Sequence, residues 1–69
     1  MCNEVVQDYG MCMIILQNEK RMRKVRDAKT YFKKRDILRN YLIAECAKFR
    51  IKLTSDELSY YVEKMMLEV

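Results

Sequence analysis

The chain contains no proline and a single glycine, Gly10, among its 69 residues. Glycine and proline supply most of the tight turns that connect β-strands, so a sheet built from this sequence would lack its usual connections. Residues with high helix propensity are abundant instead. The sequence therefore predicts an all-α fold, and its length predicts a single domain that spans residues 1–69.

The clearest helix lies near the C-terminus. Thr54 is followed three residues later by Glu57, which is the spacing of a capping box. In that motif the Thr hydroxyl accepts a hydrogen bond from an early helix amide, and the Glu carboxylate accepts one from the Thr amide. Apolar residues then recur at helical spacing in one stripe: Leu58, Tyr61, Val62, Met65 and Val69. The pattern predicts a helix from about 55 to 67.

Another helix is predicted from about 36 to 50, just before the C-terminal helix in the chain. Its apolar stripe consists of Leu38, Leu42, Cys46 and Phe49. The linker "RIKL" is short enough to connect two adjacent helices, so we expect a C-terminal hairpin of helix-turn-helix shape. The C-terminal helix begins with the acidic stretch "SDE", which would face phosphates in a DNA groove. This acidic start disfavours that helix as a recognition helix.

The first half of the chain has a heptad-like pattern without an obvious stop. Residues at alternating steps of four and three form one line: Met11, Ile15, Asn18, Met22, Val25, Lys29 and Phe32. This line predicts a long basic N-terminal helix from about 12 to 34, about 35 Å in length. Two alternatives remain open, a buried strand at "MCMIILQ" and a short strand at "AKTYFKK". The second strand would produce a ribbon–helix–helix arrangement, which requires a dimer.

The apolar content of the chain predicts self-association. The sequence is 51% hydrophobic, yet a domain of this size buries only about 60% of its unfolded surface. A helix of about 35 Å could not be covered by the rest of so short a chain. We therefore expect a homodimer. Adjacent residues on a helix, such as Tyr60 and Tyr61 or Met65 and Met66, cannot point the same way, so one of each pair should lie outside the main stripe as a candidate contact residue. The predicted partner or dimer interface comprises Met11, Ile15, Met22, Val25, Phe32, Tyr60 and Met66.

Positive charge is concentrated in one segment. The chain has a net charge of +4, but residues 20–35, "KRMRKVRDAKTYFKKR", hold nine basic residues and one acid. Clustered cations are what the neutralisation of phosphates requires. We expect this segment to contact nucleic acid or an acidic protein surface. The predicted contact residues are Arg21, Arg23, Lys24, Arg26, Lys33, Lys34 and Arg35.

Several functional classes are not expected. The chain has no His and no Gly-rich loop, and no nucleophile lies beside a base in the sequence, so we expect neither catalysis nor a cofactor or small-molecule substrate. Cys2, Cys12 and Cys46 form no metal-binding spacing, and the last two are predicted to be reduced core residues. The longest apolar run is far shorter than the ~20 residues of a membrane span. The acidic N-terminus does not resemble a signal peptide, so a cytoplasmic location is expected.

Two functional hypotheses follow from these features. The first is a small non-enzymatic regulatory protein that acts by binding, with residues 20–35 on nucleic acid. The second is a homodimeric modulator, of the kind found in phages, plasmids or bacteria, that binds a host protein through an apolar surface of Met and Tyr residues.

Overall fold

The computed structural model describes residues 10–69, and within them the chain is helical without strands. Residues 10–16 are helical (α1), and three further helices follow: α2 (Glu19–Asp27), α3 (Tyr31–Lys48) and α4 (Ser55–Met66). Helix α3 packs against α2 on one side and against α4 on the other. The prediction of an all-α fold is confirmed for the described residues.

Helix α4 begins with the predicted capping box. The Thr54 hydroxyl accepts a hydrogen bond from the Glu57 amide at 3.1 Å, and the Glu57 carboxylate accepts one from the Thr54 amide at 2.9 Å. Both contacts satisfy amides that have no partner within the helix. The predicted stripe is buried at its centre, whereas its last residue is exposed.

Helix α3 begins earlier and ends earlier than the predicted range of about 36 to 50. Thr30 caps it, since its hydroxyl accepts a hydrogen bond from the Lys33 amide at 3.1 Å. Leu38, Leu42 and Cys46 are buried as expected. Phe49 lies beyond the last helical residue and is 52% exposed, so it does not belong to the buried stripe.

The prediction of one long helix from about 12 to 34 is wrong, because the helix is interrupted at two places within that range. Asn18 caps α2, where its side chain accepts a hydrogen bond from the Arg21 amide at 3.1 Å, and Thr30 caps α3 in the same way. Asn and Thr favour caps over helix interiors because their side chains replace missing backbone partners. The two strand alternatives are also wrong, since residues 10–16 are helical and α3 starts at Tyr31. The ribbon–helix–helix arrangement fails with them.

The breaks allow the first half of the chain to fold back on the second half. Met11 and Ile15 from α1 and Met22 and Val25 from α2 are almost fully buried in one core with α3 and α4. These four residues were predicted to contact a partner chain. Their apolar surface is covered by the same chain instead. The dimer prediction was based partly on a long helix that the chain could not cover, and that reason no longer applies. Phe32, the last residue of the heptad-like line, is 78% exposed.

The connection between α3 and α4 contains a strained residue. The Ile51 amide donates to the Cys46 carbonyl at 2.8 Å and the Arg50 amide donates to the Ala47 carbonyl at 3.3 Å, which is the bonding pattern of a Schellman motif. Arg50 has a φ of 58°, a left-handed conformation that glycine adopts without steric cost. An arginine at this position is therefore destabilising relative to glycine.

We expect Arg50→Gly to stabilise the protein by about 0.5–1 kcal/mol, because glycine removes the Cβ clash at positive φ. The free energy of unfolding from urea denaturation measures this change. Lys48→Gly serves as the control: it removes another exposed basic side chain at the last residue of α3, where φ is negative, and should destabilise by up to about 1 kcal/mol. A loss of stability in Arg50→Gly would contradict the prediction.

Candidate nucleic-acid interface

One face of α2 carries the most concentrated exposed positive charge. Met22 and Val25 are buried against the core, which directs the opposite face of the helix to solvent. Lys20, Arg23 and Lys24 are exposed, and because Arg23 and Lys24 follow Lys20 by three and four residues, they share that face with it. The local sequence therefore places three cations side by side on a short helix.

A groove runs between this face and α3. It has a volume of about 590 Å³ and is lined by Lys20, Arg21, Arg23, Lys24, Asp27 and Tyr41. The lining thus contains four cations and a single carboxylate. Tyr41 is half-buried and contributes an aromatic ring, a side chain that can stack on a base or on a guanidinium. We call this feature the basic groove.

Arg21 lines the basic groove, but its charge is already paired. Its guanidinium lies 3.0 Å from the carboxylate of Glu45, and Glu45 is only 3% exposed. The same guanidinium lies 5.0 Å from the centre of the Tyr41 ring. A buried carboxylate is costly without its partner, so Arg21 holds α2 to α3. Its predicted role as a phosphate contact is therefore secondary to this structural one.

Two more of the predicted contact residues connect helices. The Lys34 ammonium donates to the Val25 carbonyl at 3.2 Å and to the Arg26 carbonyl at 2.8 Å. These carbonyls belong to the last turn of α2, where a cation is favourable. The Arg35 guanidinium donates to the Glu63 carboxylate at 2.8 Å and so connects α3 to α4.

The remaining four predicted cations are exposed. Arg23, Lys24, Arg26 and Lys33 form no ion pair with any residue from 10 to 69. Only Arg23 and Lys24 line the basic groove, while Arg26 and Lys33 lie outside it. The structure therefore brings together part of the predicted set.

Sequence reasoning missed Lys20 and Tyr41. Lys20 precedes Arg23 by three residues and Lys24 by four, so helical spacing alone could have added it. Tyr41 comes from α3 and reaches the groove only because α2 packs on that helix. No spacing in the sequence indicates that contact.

The exposed Glu63 carboxylate is the centre of a hydrogen-bond network. The Tyr31 hydroxyl donates to its two oxygens at 2.7 and 2.8 Å, and Arg35 donates to one of them. The hydrogen bond from Tyr31, followed by that from Arg35, lowers the pKa of Glu63 below its ordinary value. The hydrogen bond to Glu63 is also the main cause that raises the pKa of Tyr31.

The other predicted interface residues are partly accessible. Tyr60 is 56% exposed and Met66 is half-buried, whereas their neighbours Tyr61 and Met65 are buried. The expectation that adjacent residues of these pairs point in different directions is confirmed.

Cys12 and Cys46 are buried, as expected for core residues, while Cys2 lies outside the described residues. The described residues contain no group of side chains that could hold a metal ion. None of their helices combines the length and the apolar character that a membrane crossing needs.

Comparison of the chain with family models, with curated proteins and with solved structures finds no match. A function for this protein is therefore inferred from its own side chains.

Replacing Arg21 should destabilise the protein much more than replacing Arg23. Arg21→Met leaves the Glu45 carboxylate buried without its cation, which should cost about 3 kcal/mol in the free energy of unfolding. Arg23→Met makes the same chemical change on an exposed side chain and should shift stability by no more than about 0.5 kcal/mol. Urea denaturation of both variants measures the difference. Equal losses would show that the Arg21–Glu45 pair has no special role.

The Tyr31–Glu63 contact should contribute most between about pH 5 and 9. Because the pKa of Glu63 is lowered, its contribution is present above 4.5 and is lost as the pH falls through the lowered pKa. Because the pKa of Tyr31 is raised, its contribution is present below 10.0 and is lost as the pH rises through the raised pKa. Urea denaturation of the natural protein and Tyr31→Phe from about pH 3 to about pH 11 tests this. A constant difference at all pH values would contradict it.

Proposed function

We propose that this protein is a non-enzymatic regulator that binds nucleic acid through the basic groove. The observation that carries the proposal is the set of three exposed cations on one face of α2, Lys20, Arg23 and Lys24, beside the ring of Tyr41. None of the three forms an ion pair with residues 10–69. Their charge is therefore available to a phosphate backbone.

The contacts proposed here are electrostatic and do not depend on base sequence. Side chains that neutralise phosphates release condensed counterions, so affinity falls as salt rises. Three such cations predict a slope of log K against log salt of roughly −3 on duplex DNA, at about −0.9 for each phosphate. Arg21 adds less, since Glu45 offsets its charge.

The charge of α4 supports the assignment to α2 rather than to the C-terminal hairpin. Helix α4 has Asp56 and Glu57 in its first turn, and the carboxylate of Glu57 is already bound to the Thr54 amide. These acids would repel a phosphate backbone from the helix end that a recognition helix inserts into a groove.

The alternative of a protein-binding modulator with a Met and Tyr surface has weaker support. Met11, Met22 and Met65 are buried in the core, and so is Tyr61. Of the five methionines among residues 10–69, three are therefore inside the protein and Met13 and Met66 are half-buried, which leaves little flexible thioether surface for a partner.

We expect the double variant Arg23→Glu, Lys24→Glu to lose nucleic-acid binding, because the basic groove would then repel phosphates. Fluorescence anisotropy with random-sequence DNA and RNA at about 50 and about 200 mM salt measures the affinity, and the natural protein should bind much more weakly at the higher salt.

The matched control is Lys29→Glu, Lys33→Glu, which changes the net charge equally on exposed residues outside the groove. It should weaken binding much less than the groove variant. Equal losses in the two variants would assign the effect to net charge alone. Absence of binding by the natural protein at the lower salt would overturn the proposed function.

A further inference from the structure

A second accessible surface lies where the α3–α4 connection meets α1. Two shallow grooves of about 470 and 360 Å³ meet at Ile51, which lines both. Their apolar walls come from α1, from the end of α3 and from the start of α4. We call this the Ile51 surface, and its large aliphatic and aromatic side chains include Ile14, Ile43, Phe49, Ile51, Leu53 and Leu58.

The Ile51 surface exposes large apolar side chains. Ile14 is 46% exposed, Ile43 is 42% exposed and Phe49 is 52% exposed. Single exposed apolar residues are common on protein surfaces, but a contiguous group that lines grooves is typical of a binding site. It shares no lining residue with the basic groove.

Three cations are direct chain neighbours of the apolar residues of this surface, and we call them its rim. Lys48, Arg50 and Lys52 alternate with its apolar residues at the α3–α4 connection, and all three are exposed. Lys52 lines one of the two grooves directly. None of these three cations forms an ion pair with residues 10–69. Of the three nearest acids in sequence, Glu45 binds Arg21 and Glu57 caps α4, while Asp56 forms no ion pair with residues 10–69.

Residue 50, in the α3–α4 connection, is a second feature of this surface. Glycine would occupy the left-handed conformation of Arg50 without strain, yet the chain carries an arginine there. A strained residue that persists in a structure is a reason to look for a function of its side chain. At this position the side chain adds a cation to the rim of the Ile51 surface.

The charge of the rim indicates which kind of partner this surface can bind. A symmetric dimer on this surface would place the cations of one copy opposite those of the other, because the same patch serves both copies in a two-fold interface. Like charges in that arrangement are unfavourable. A partner that carries acids beside apolar residues matches both properties of the surface.

We infer that the Ile51 surface binds an acidic amphipathic segment of another protein. The apolar side of the segment fills the two grooves, in the way that amphipathic helices bind in hydrophobic grooves. Its carboxylates face Lys48, Arg50 and Lys52. This interaction is separate from the proposed nucleic-acid binding and does not depend on it.

The test is a selection of displayed 20-residue peptides of random sequence on the full-length protein. Enriched peptides should combine Asp or Glu with apolar residues at spacings of three and four. Labelled synthetic copies should bind in fluorescence anisotropy, more weakly at high salt. Saturation with the DNA probe should leave their affinity unchanged. No enrichment, enrichment of neutral or basic peptides, or competition by the DNA would overturn the inference.

Matched variants locate the binding surface. Phe49→Ser should weaken peptide binding about tenfold or more, since truncation of a central aromatic side chain removes a large share of interface energy. Tyr60→Ser removes an aromatic side chain of similar exposure outside the two grooves and should leave affinity unchanged. Ile14→Ser is a second variant for the case that Phe49→Ser does not fold, as judged by circular dichroism.

A charge variant and a mass measurement complete the test. Lys48→Glu, Lys52→Glu should reduce affinity for the acidic peptides, whereas Lys29→Glu, Lys33→Glu should not. Sedimentation equilibrium should show that the protein does not dimerise through this surface. A dimer that Phe49→Ser dissociates would overturn the inference in favour of a second copy of the chain.

Discussion

Two side-chain caps determine how the first half of this protein can fold. Asn18 and Thr30 each accept a hydrogen bond from a backbone amide three residues later, and each begins a new helix. A cap of this kind is worth about 1 kcal/mol, which is large for a domain of this size. Because the chain changes direction at these points, the apolar residues of α1 and α2 reach the core formed with α3 and α4. The basic groove exists only because α2 packs against α3.

Six of the nine basic residues in the segment from 20 to 35 divide between two uses. Arg21, Lys34 and Arg35 bind acceptors on other helices or at a helix end, so they hold α2, α3 and α4 together. Lys20, Arg23 and Lys24 remain on the solvent face of α2. The first group uses its charge for stability, and the second group is the basis of the proposed binding. A count of basic residues cannot separate the two groups.

The two surfaces proposed for binding differ in chemistry and in position. The basic groove combines cations with one aromatic ring, which suits a phosphate backbone, while the Ile51 surface combines apolar side chains with a charged rim, which suits an amphipathic partner. They share no lining residue. Together the two proposals describe a small adaptor that holds a nucleic acid and an acidic protein segment on separate parts of 69 residues.

The sequence by itself determined the features that depend on neighbours along the chain. The capping box of α4, the apolar stripe of Leu38, Leu42 and Cys46, and the all-α class follow from spacings of three and four residues or from composition. The ends of the helices were missed because the apolar period continues across Asn18. A polar residue within an apolar stripe has the same sequence pattern whether it caps a helix or only interrupts the stripe. Only the tertiary structure decided which cations are paired, since Arg21 meets Glu45 and Arg35 meets Glu63 through packing of separate helices. Contacts between residues far apart in the chain depend on how helices pack, and local periodicity carries no record of that arrangement.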